Sequence, residues 1–257
     1  MTRNPERLHS RPDSRPPRRK AWLALLLPAL MACGAPLGRG AAPEEKSKEA
    51  ERLEQAAEVF DEIMNAPDQT IPRDLLDRSS CIVVIPSMLK GGFVFGGRYG
   101  RGTIACRKAN GTGPWGPPAM VTLGGGSFGL QIGGAAVDVV MLVMNISGIE
   151  KLLQDKVTLG GDASVAAGPV GRAATAETDA QMHAKILTYS RSRGLFAGLE
   201  LKGAVLMQDR DGNRSLYGRE VEAHALLLRG DAAPPAAARP LLDALSKASP
   251  RRSGKPL

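Results

Sequence analysis

Glycine spacing in the middle of the chain is the feature that most limits its fold. Of the 257 residues, 30 are glycine, and they cluster between residues 91 and 203 among short apolar runs. Glycine weakens a helix, whereas in strands it marks turns, bulges and close approach of two chain segments. With only five Phe, three Tyr and two Trp, the core must be aliphatic. The pattern therefore predicts a β-rich body with many sharp turns.

Short β-like runs and two amphipathic stretches give the expected elements. We predict strands at 81–86, 92–99, 103–108, 119–123, 128–132, 137–144, 157–159, 163–167, 183–189 and 196–208. We expect an N-terminal helix within 44–66, a closing helix at 217–229, and a short helix after residue 146 with Ser147 as its N-cap. The expected fold class is α+β, with an antiparallel sheet or barrel-like body and a helix packed at each end.

The beginning of the chain carries signals for export and attachment. Residues 1–32 combine seven basic groups with a short apolar run, which is typical of a secretory signal peptide. That run is shorter than the ~20 apolar residues that span a bilayer. Cys33 follows in a segment that resembles a lipobox, although Met31 departs from the usual small residue; the alternative is ordinary cleavage nearby without acylation. With 33–43 as a tether, we expect an exported, periplasmic outer-membrane lipoprotein.

Positive charge is concentrated at the two ends of the chain. The formal net charge is +8, but residues 1–32 hold seven basic and two acidic groups, and 232–257 hold five basic and one acidic group. This leaves a net charge of −1 for residues 33–231. A nucleic-acid interface needs a basic face on the folded part. We therefore predict no nucleic-acid partner. The expected domain is 44–231, and the segment after it is expected to be a Pro/Ala-rich, partly disordered tail whose middle can form a short helix.

Several motifs occur in the order of a known family. The segments YSRSRGLFAG at 189–198 and LELKGAVL at 199–206, with Tyr217-Gly218, resemble the signature of the SYLF domain, the lipid-binding module also found in yeast actin-patch proteins of the Ysc-eighty-four type. Further similar segments lie at 91–102, 123–134, 143–145 and 168–172. In eukaryotic relatives the resemblance implies phosphoinositide binding and, in some, actin binding; bacterial relatives are typically secreted or lipoprotein forms. Actin is not an expected partner for a chain with this leader.

Basic residues around the signature form the predicted lipid-binding site. Arg191 and Arg193 alternate with serines before Gly194, so a turn there would present two guanidinium groups suited to phosphate. Strand pairing could enlarge this patch with Lys185, Lys202, Lys90, Arg98 and Arg101. In the alternative, the arginines pair with Asp or Glu and only stabilise the fold. We expect a non-catalytic module that binds anionic phospholipid or a membrane surface; the alternative is a structural envelope lipoprotein that binds a protein partner.

Two enzyme-like patterns overlap in the glycine-rich segment 124–129. One matches a dinucleotide-binding loop, and the other places Ser127 in a nucleophile elbow, with His183 or His224 as a base. Both chemistries need a helix directly after the strand, whereas the following residues have a strand pattern. We therefore expect no catalytic residue and no cofactor, and an esterase at Ser127 is a distant third hypothesis.

Acidic residues near the end of the domain have the spacing of a calcium loop. Asp209, Asp211, Asn213 and Glu220 occupy the ligand positions, but Arg214 stands where the sharp turn needs glycine. The simpler interpretation is a polar turn after a strand, and we predict no metal site.

Cys81 and Cys106 lie in two predicted strands. An exported protein is in a compartment where disulfides persist. The alternative is two buried thiols that act as small apolar residues. Sequence alone leaves both open, because a bond requires the two Cα atoms to lie within about 7 Å of each other.

Overall fold

Nine strands form one sheet in the computed structural model of the protein. The structure describes residues 46–66, 71–92, 95–111, 113–128, 133–151, 155–169, 183–192 and 195–250. The expected signal peptide, the tether with Cys33 and the last seven residues therefore lie outside the described part.

The strands follow one another across the sheet in an order that differs from their order in the chain. Their bounds are β1 Cys81–Gly92, β2 Phe95–Cys106, β3 Ala119–Phe128, β4 Gly133–Val143, β5 Lys156–Thr158, β6 Val165–Ala167, β7 Ile186–Ser192, β8 Leu195–Gly198 and β9 Val205–Gln208. The order across the sheet is β5-β9-β3-β2-β1-β4-β7-β6, and β8 pairs with β7. Only the β6·β7 pair among these is parallel. The predicted α+β fold with a largely antiparallel sheet is confirmed.

Helices flank the sheet near both ends of the described chain. They are α1 Lys48–Met64, α2 Arg73–Arg78, the single turn α3 Lys108–Gly111, α4 Arg210–Tyr217 and α5 Arg239–Ala248, with a π-helical turn at Ala225–Arg229. α1 is the predicted N-terminal helix; the Ser47 hydroxyl caps it by accepting from the Ala50 amide at 3.2 Å. Within the described residues, none of the helices combines the length and apolar character needed to cross a membrane.

Both faces of the sheet are buried, and alternate residues of the central strands enter two separate clusters. In β4, Val139 and Met141 belong to one cluster, and Val140 and Leu142 to the other. We call the side covered by α1, α2 and α5 the helix face; Phe60 of α1 lies in its cluster. The opposite side, covered by connecting segments and the π-helical turn, is the loop face. Burial on both sides explains the nearly unbroken apolar runs of β1 and β4.

A bulge in β1 explains why the strands predicted at 92–99 and 103–108 are not separate but meet in the single strand β2. The pairing of β1 with β4 shifts register after Ile85, and Ser87 in the bulge has a φ of 48°. The bulged chain presses on β2: a Cβ added at Gly100 would lie 2.5 Å from Ile85 Cγ2, and one at Gly102 would lie 2.0 Å from the Val84 carbonyl oxygen. This close approach requires glycine at both positions. As a result, β2 continues where the sequence predicted a break.

The predicted closing helix at 217–229 is only partly correct, because residues 223–229 are helical but residues 218–222 are not. A helix ends at Tyr217 because Gly218, with a φ of 68°, adopts the left-handed conformation that terminates α4. This helix begins where a polar turn was expected. The Asp209 carboxylate caps it by accepting from the Gly212 amide at 2.9 Å.

Two smaller boundaries also differ from the predictions. Asn145, not Ser147, caps the helical turn after β4, since its side-chain oxygen accepts from the Ser147 amide at 3.0 Å. Asn and Ser cap helices about equally well, so the pattern could not distinguish them. The predicted strand at 196–208 is two strands, β8 and β9, and the turn before β9 contains Gly203 with a φ of 78°.

The segment after residue 231 belongs to the folded unit. Leu241 and Leu245 of α5 are buried in the helix-face cluster together with α1. At the end of α5, the Arg107 guanidinium stacks 4.1 Å from the centre of the Trp115 ring and donates from Nη2 to the Ser249 carbonyl oxygen at 3.1 Å. This contact satisfies a carbonyl at the helix C-terminus. The domain thus extends beyond the boundary that the sequence suggested, and α5 is the helix expected in the tail.

Candidate functional site

Three of the predicted binding residues meet at one end of the sheet. Lys90 of β1 and Arg98 of β2 are direct cross-strand partners. They lie on the loop face, because Met88, two residues before Lys90, belongs to the loop-face cluster. Arg98 Nη1 donates to the Glu200 carbonyl oxygen at 3.3 Å, and Lys202 Nζ lies 3.1 Å from Glu200 Oε1. Arg98 and Lys202 therefore both contact Glu200, and Arg98 is also the cross-strand partner of Lys90.

Arg101 lies on the opposite side of β2, on the helix face. Its Nε donates to the Tyr99 hydroxyl oxygen at 3.0 Å and lies 3.9 Å from Asp209 Oδ2. The hydrogen bond to Tyr99, and then the charge of Asp209, raise the pKa of the Arg101 guanidinium above its usual value. This side chain is therefore a permanent positive charge on the helix face.

Arg191, at the centre of the signature, contacts acidic residues within the fold. Its Nη2 lies 3.0 Å from Asp138 Oδ2 of β4, and its Nη1 contacts the Glu62 carboxylate of α1. Asp138 Oδ1 also accepts from the amide of Ser87 in the β1 bulge at 2.9 Å. This arrangement corresponds to the alternative in which a signature arginine stabilises the fold, and it joins α1, β4, β7 and the bulge.

Lys185 lies far from Arg191, the next predicted residue along the described chain. Lys185 precedes β7, and Arg191 lies six residues further along, so extended chain separates them by roughly 20 Å. The Lys185 amide donates to the Ser164 hydroxyl oxygen at 2.9 Å. Arg193, the second signature arginine, and Cys33, the predicted acylation site, lie outside the described residues.

A disulfide bond joins Cys81 of β1 to Cys106 of β2. The two residues are direct cross-strand partners, with Cα atoms 4.0 Å apart. Both lie in the loop-face cluster and are almost fully buried. The disulfide bond, which the sequence left open, thus links β1 and β2 at the end of their pairing that is remote from Lys90 and Arg98.

The glycine motifs that resemble catalytic loops lie in a strand. Ser127 pairs with Gly96 of β2, and Gly124 pairs with Tyr99. An elbow serine or a dinucleotide loop needs a helix to start at this point. The residues through Phe128 instead continue β3. The predicted break between strands at 119–123 and 128–132 is therefore wrong, and residues 129–132 lie outside the described part of the chain.

The calcium-like segment is the start of α4. Besides the cap formed by Asp209, Asn213 is fully buried and its side-chain oxygen accepts from the Met120 amide at 2.7 Å. Asp209 Oδ1 and the side-chain oxygen of Asn213 therefore have partners within the fold. In the described ranges, no three His, Cys, Asp or Glu side chains are grouped so that they could hold a metal ion.

Two exposed apolar residues that no sequence pattern indicated lie next to the basic pair. Leu89 and Tyr99 are cross-strand partners on the helix face, and 61% and 50% of their surfaces are exposed. In unbroken alternation with Ile85, Leu89 would face the loop side. The bulge at Ser87 reverses this alternation, so no sequence pattern indicated that Leu89 and Tyr99 share one surface.

Comparison with known proteins identifies related domains. A family model described as Ysc84, Las17-binding protein actin regulator, matches residues 124–248. An SH3 domain-containing protein of Schizosaccharomyces pombe is 40% identical over 181 residues, which are 69% of this chain and 41% of that protein. LAS seventeen-binding protein 3 of Saccharomyces cerevisiae is 36% identical over 181 residues, 69% of this chain and 39% of that protein. The human SH3 domain-containing YSC84-like protein 1 is 31% identical over 206 residues, 79% of this chain and 59% of that protein.

The chain thus spans between about two fifths and three fifths of these relatives. The family match begins in β3 and ends at Ala248, the last residue of α5. It therefore includes the signature strands β7 and β8 as well as the C-terminal helix that packs on α1. On these matches, the chain belongs to the Ysc84 family, whose shared module is the SYLF domain.

Proposed function

We propose that this protein is a non-catalytic module that binds the headgroups of anionic phospholipids, phosphoinositides among them, at a membrane of the bacterial cell envelope. The observation that carries the proposal is the cross-strand pair Lys90 and Arg98 at an exposed end of the sheet.

Two like charges placed directly opposite each other on neighbouring strands destabilise a sheet. Among the described residues, neither Lys90 nor Arg98 forms an ion pair; the Arg98 contact is to a backbone carbonyl, and the nearby Glu200 carboxylate is 3.1 Å from Lys202 instead. A bound anion would relieve the repulsion between Lys90 and Arg98. The pair is therefore better explained by a ligand than by fold stability.

The two side chains are chemically suited to a phosphate group. The guanidinium of Arg98 offers parallel N–H donors that match two phosphate oxygens, and the ammonium of Lys90 adds a compact charge. Lipid headgroups present many such phosphates on one surface. The negative potential of that surface also attracts basic side chains and so strengthens binding.

Flotation with vesicles tests this proposal. The compact unit Glu45–Leu257 is mixed with vesicles of phosphatidylcholine, with or without phosphatidylglycerol or a phosphoinositide. We expect binding only to the anionic vesicles, and loss of that binding when Lys90→Glu is combined with Arg98→Glu. The matched control combines Lys156→Glu with Arg239→Glu, an equal charge change at exposed positions away from the pair. Absence of binding, or an equal loss in both double variants, contradicts the proposal.

Anchoring forms the second part of the proposal. The leader and the lipobox-like segment support export, acylation of Cys33 and attachment to the outer membrane, with the domain in the periplasm. Acyl chains would hold the protein at a membrane, because each buried CH₂ contributes ~0.8 kcal/mol. Metabolic labelling with a palmitate analogue tests this: we expect a labelled protein, and no label after Cys33→Ser.

A protein partner is the second candidate. It is favoured by the names of the relatives, since the matched family and the yeast protein are described as binding Las17. A folded domain that does not float with any of the vesicles would favour a partner protein over lipid.

Labelling with a fluorophosphonate probe tests the esterase alternative, and we expect no reaction at Ser127.

A further inference from the structure

An apolar surface lies beside the proposed headgroup site, on the other side of the same strands. Leu89 and Tyr99 form a cross-strand pair on the helix face, and with Leu228 they are the exposed large hydrophobic residues of the described chain. Helix α1 covers the helix face over the buried part of these strands but leaves this pair open. Leu228 is separate, because it lies in the π-helical turn.

The neighbours of this pair have small side chains or none. On the two strands that flank β1 and β2, Ala136 of β4 pairs with Leu89, and Gly124 of β3 pairs with Tyr99. The next row toward the strand ends, on the same face, consists of four paired glycines: Gly134, Gly91, Gly97 and Gly126. All four are exposed. We call this surface, from Ala136, Leu89, Tyr99 and Gly124 to the glycine row, the bare end of the sheet.

Packing within the fold does not explain Gly97, Gly124, Gly126 or Gly134. A Cβ added at Gly97 or Gly124 would meet no atom within 4 Å, and at Gly126 and Gly134 the nearest atoms would be 3.9 Å and 4.0 Å away. None of the four has a positive φ. Glycine inside a strand reduces stability and often marks a place where a ligand or another surface approaches the backbone. These four glycines therefore differ from Gly100, which the β1 bulge requires.

Positive charge borders the bare end on both faces. Arg101 extends along the helix face and its Nε bonds to the Tyr99 hydroxyl, while Lys90 and Arg98 lie on the reverse of the same two strands. Exposed apolar side chains flanked by permanent cations are complementary to an anionic bilayer. In such a surface, Leu enters the acyl boundary, Tyr keeps its hydroxyl at the headgroup level, and cations meet phosphates.

We infer that the bare end of the sheet is a bilayer-insertion surface: Leu89 and Tyr99 enter the interfacial layer, and the glycine row lets the backbone lie close against the lipid. This inference rests on the proposed lipid-binding function and adds a second, apolar component to it. Headgroup attraction through Lys90 and Arg98 would bring the domain to the surface, and insertion would hold it there.

Salt separates the two components. Vesicle binding of Glu45–Leu257 is measured at about 0.1 M and about 1 M NaCl, between which the Debye length falls from ~10 Å to ~3 Å. We expect the wild-type domain to keep part of its binding at the higher salt. Combining Leu89→Ser with Tyr99→Ser should remove this salt-resistant part, about a tenfold loss of affinity or more, and leave much of the low-salt binding. Leu228→Ser is the matched control and should change neither.

The glycine row and a fluorescent reporter provide independent readouts. We expect Gly97→Val to leave thermal stability unchanged or higher, since space is open there, yet to reduce vesicle affinity severalfold. Tryptophan emission of the Leu89→Trp variant should shift to the blue with anionic vesicles, and that of Leu228→Trp should not. If low-salt binding occurs but the serine variants and Gly97→Val behave like the wild type and Leu89→Trp shows no shift, the inference is wrong while the proposed function stands. If nothing binds anionic vesicles, both are wrong.

Discussion

Arg191 and Asp138 face each other across β7 and β4, with Nη2 and Oδ2 3.0 Å apart. Asp138 has a second role, because its other oxygen accepts the amide of Ser87, the residue with a φ of 48° in the β1 bulge. One carboxylate thus holds both the signature arginine and the bulge that turns Leu89 to the helix face. It follows that Arg191→Glu, which would bring a third carboxylate to Asp138 and Glu62, is not a clean test of lipid binding.

Replacing Asp138 should destabilise the domain more than replacing Glu62. Asp138→Ala removes the partner of the Ser87 amide and of the half-buried Arg191 guanidinium, and we expect this loss to cost about 1–3 kcal/mol. The Glu62 side chain is 54% exposed, and an exposed ion pair contributes only ~0–1 kcal/mol. Urea denaturation of the two variants measures the difference in the free energy of unfolding. Equal losses would show that the bulge does not depend on Asp138.

The two kinds of glycine in β2 should respond in opposite ways to alanine. At Gly102 an added Cβ would lie 2.0 Å from a backbone oxygen, so the β1 bulge must move, whereas Gly97 has open space. We expect Gly102→Ala to cost about 1–3 kcal/mol through overpacking, and Gly97→Ala to be neutral or stabilising by up to ~1 kcal/mol. Thermal unfolding of both variants checks this. A destabilised Gly97→Ala would mean that the bare end has a packing role.

Much of the fold follows from local sequence signals, whereas the site depends on strand pairing. The glycine-separated runs identified most strands, and burial on both faces accounts for the apolar runs of β1 and β4. Signals for α4 were also present, with Asp209 as an N-cap residue and Gly218 as a terminator, but the polar composition of this segment favoured a turn. The partners of Arg191 and the surface shared by Leu89 and Tyr99 depend on register and on one bulge, which no local pattern specifies.

The C-terminal helix should be part of the cooperative unit. Leu245 of α5 is 1% exposed and lies in the helix-face cluster with α1. We expect Leu245→Ala to lower the free energy of unfolding by about 2–5 kcal/mol, as for other buried leucines. The exposed neighbour Ser246 provides the control, since Ser246→Ala should have almost no effect. A small, equal effect of both changes would mean that the cooperative unit ends before α5.

Removing the disulfide should lower stability without abolishing the sheet. Cys81 and Cys106 are separated by 25 residues, and closing a loop of this size stabilises a protein by about 3 kcal/mol, largely through the unfolded chain. Combining Cys81→Ala with Cys106→Ala should therefore shift the urea midpoint downward. The same shift is expected for the wild-type protein in a strong reductant, and the reductant should not affect the variant. A wild-type midpoint that does not respond to reductant would contradict this.

Asp162 should titrate at unusually low pH. Its carboxylate accepts from Lys151 Nζ at 2.6 Å and from the Thr158 amide at 2.8 Å, and these bonds lower its pKa from the ordinary value of 3.8. Because the folded-state pKa is depressed, the stabilisation is present above the unfolded-state pKa and is lost as the pH falls through the folded value. Lys151→Ala removes the largest cause, so the midpoint followed by carboxyl NMR should rise toward 3.8. Lys156→Ala should leave it in place. An unchanged midpoint after Lys151→Ala would mean that the amide of Thr158 alone holds the charge.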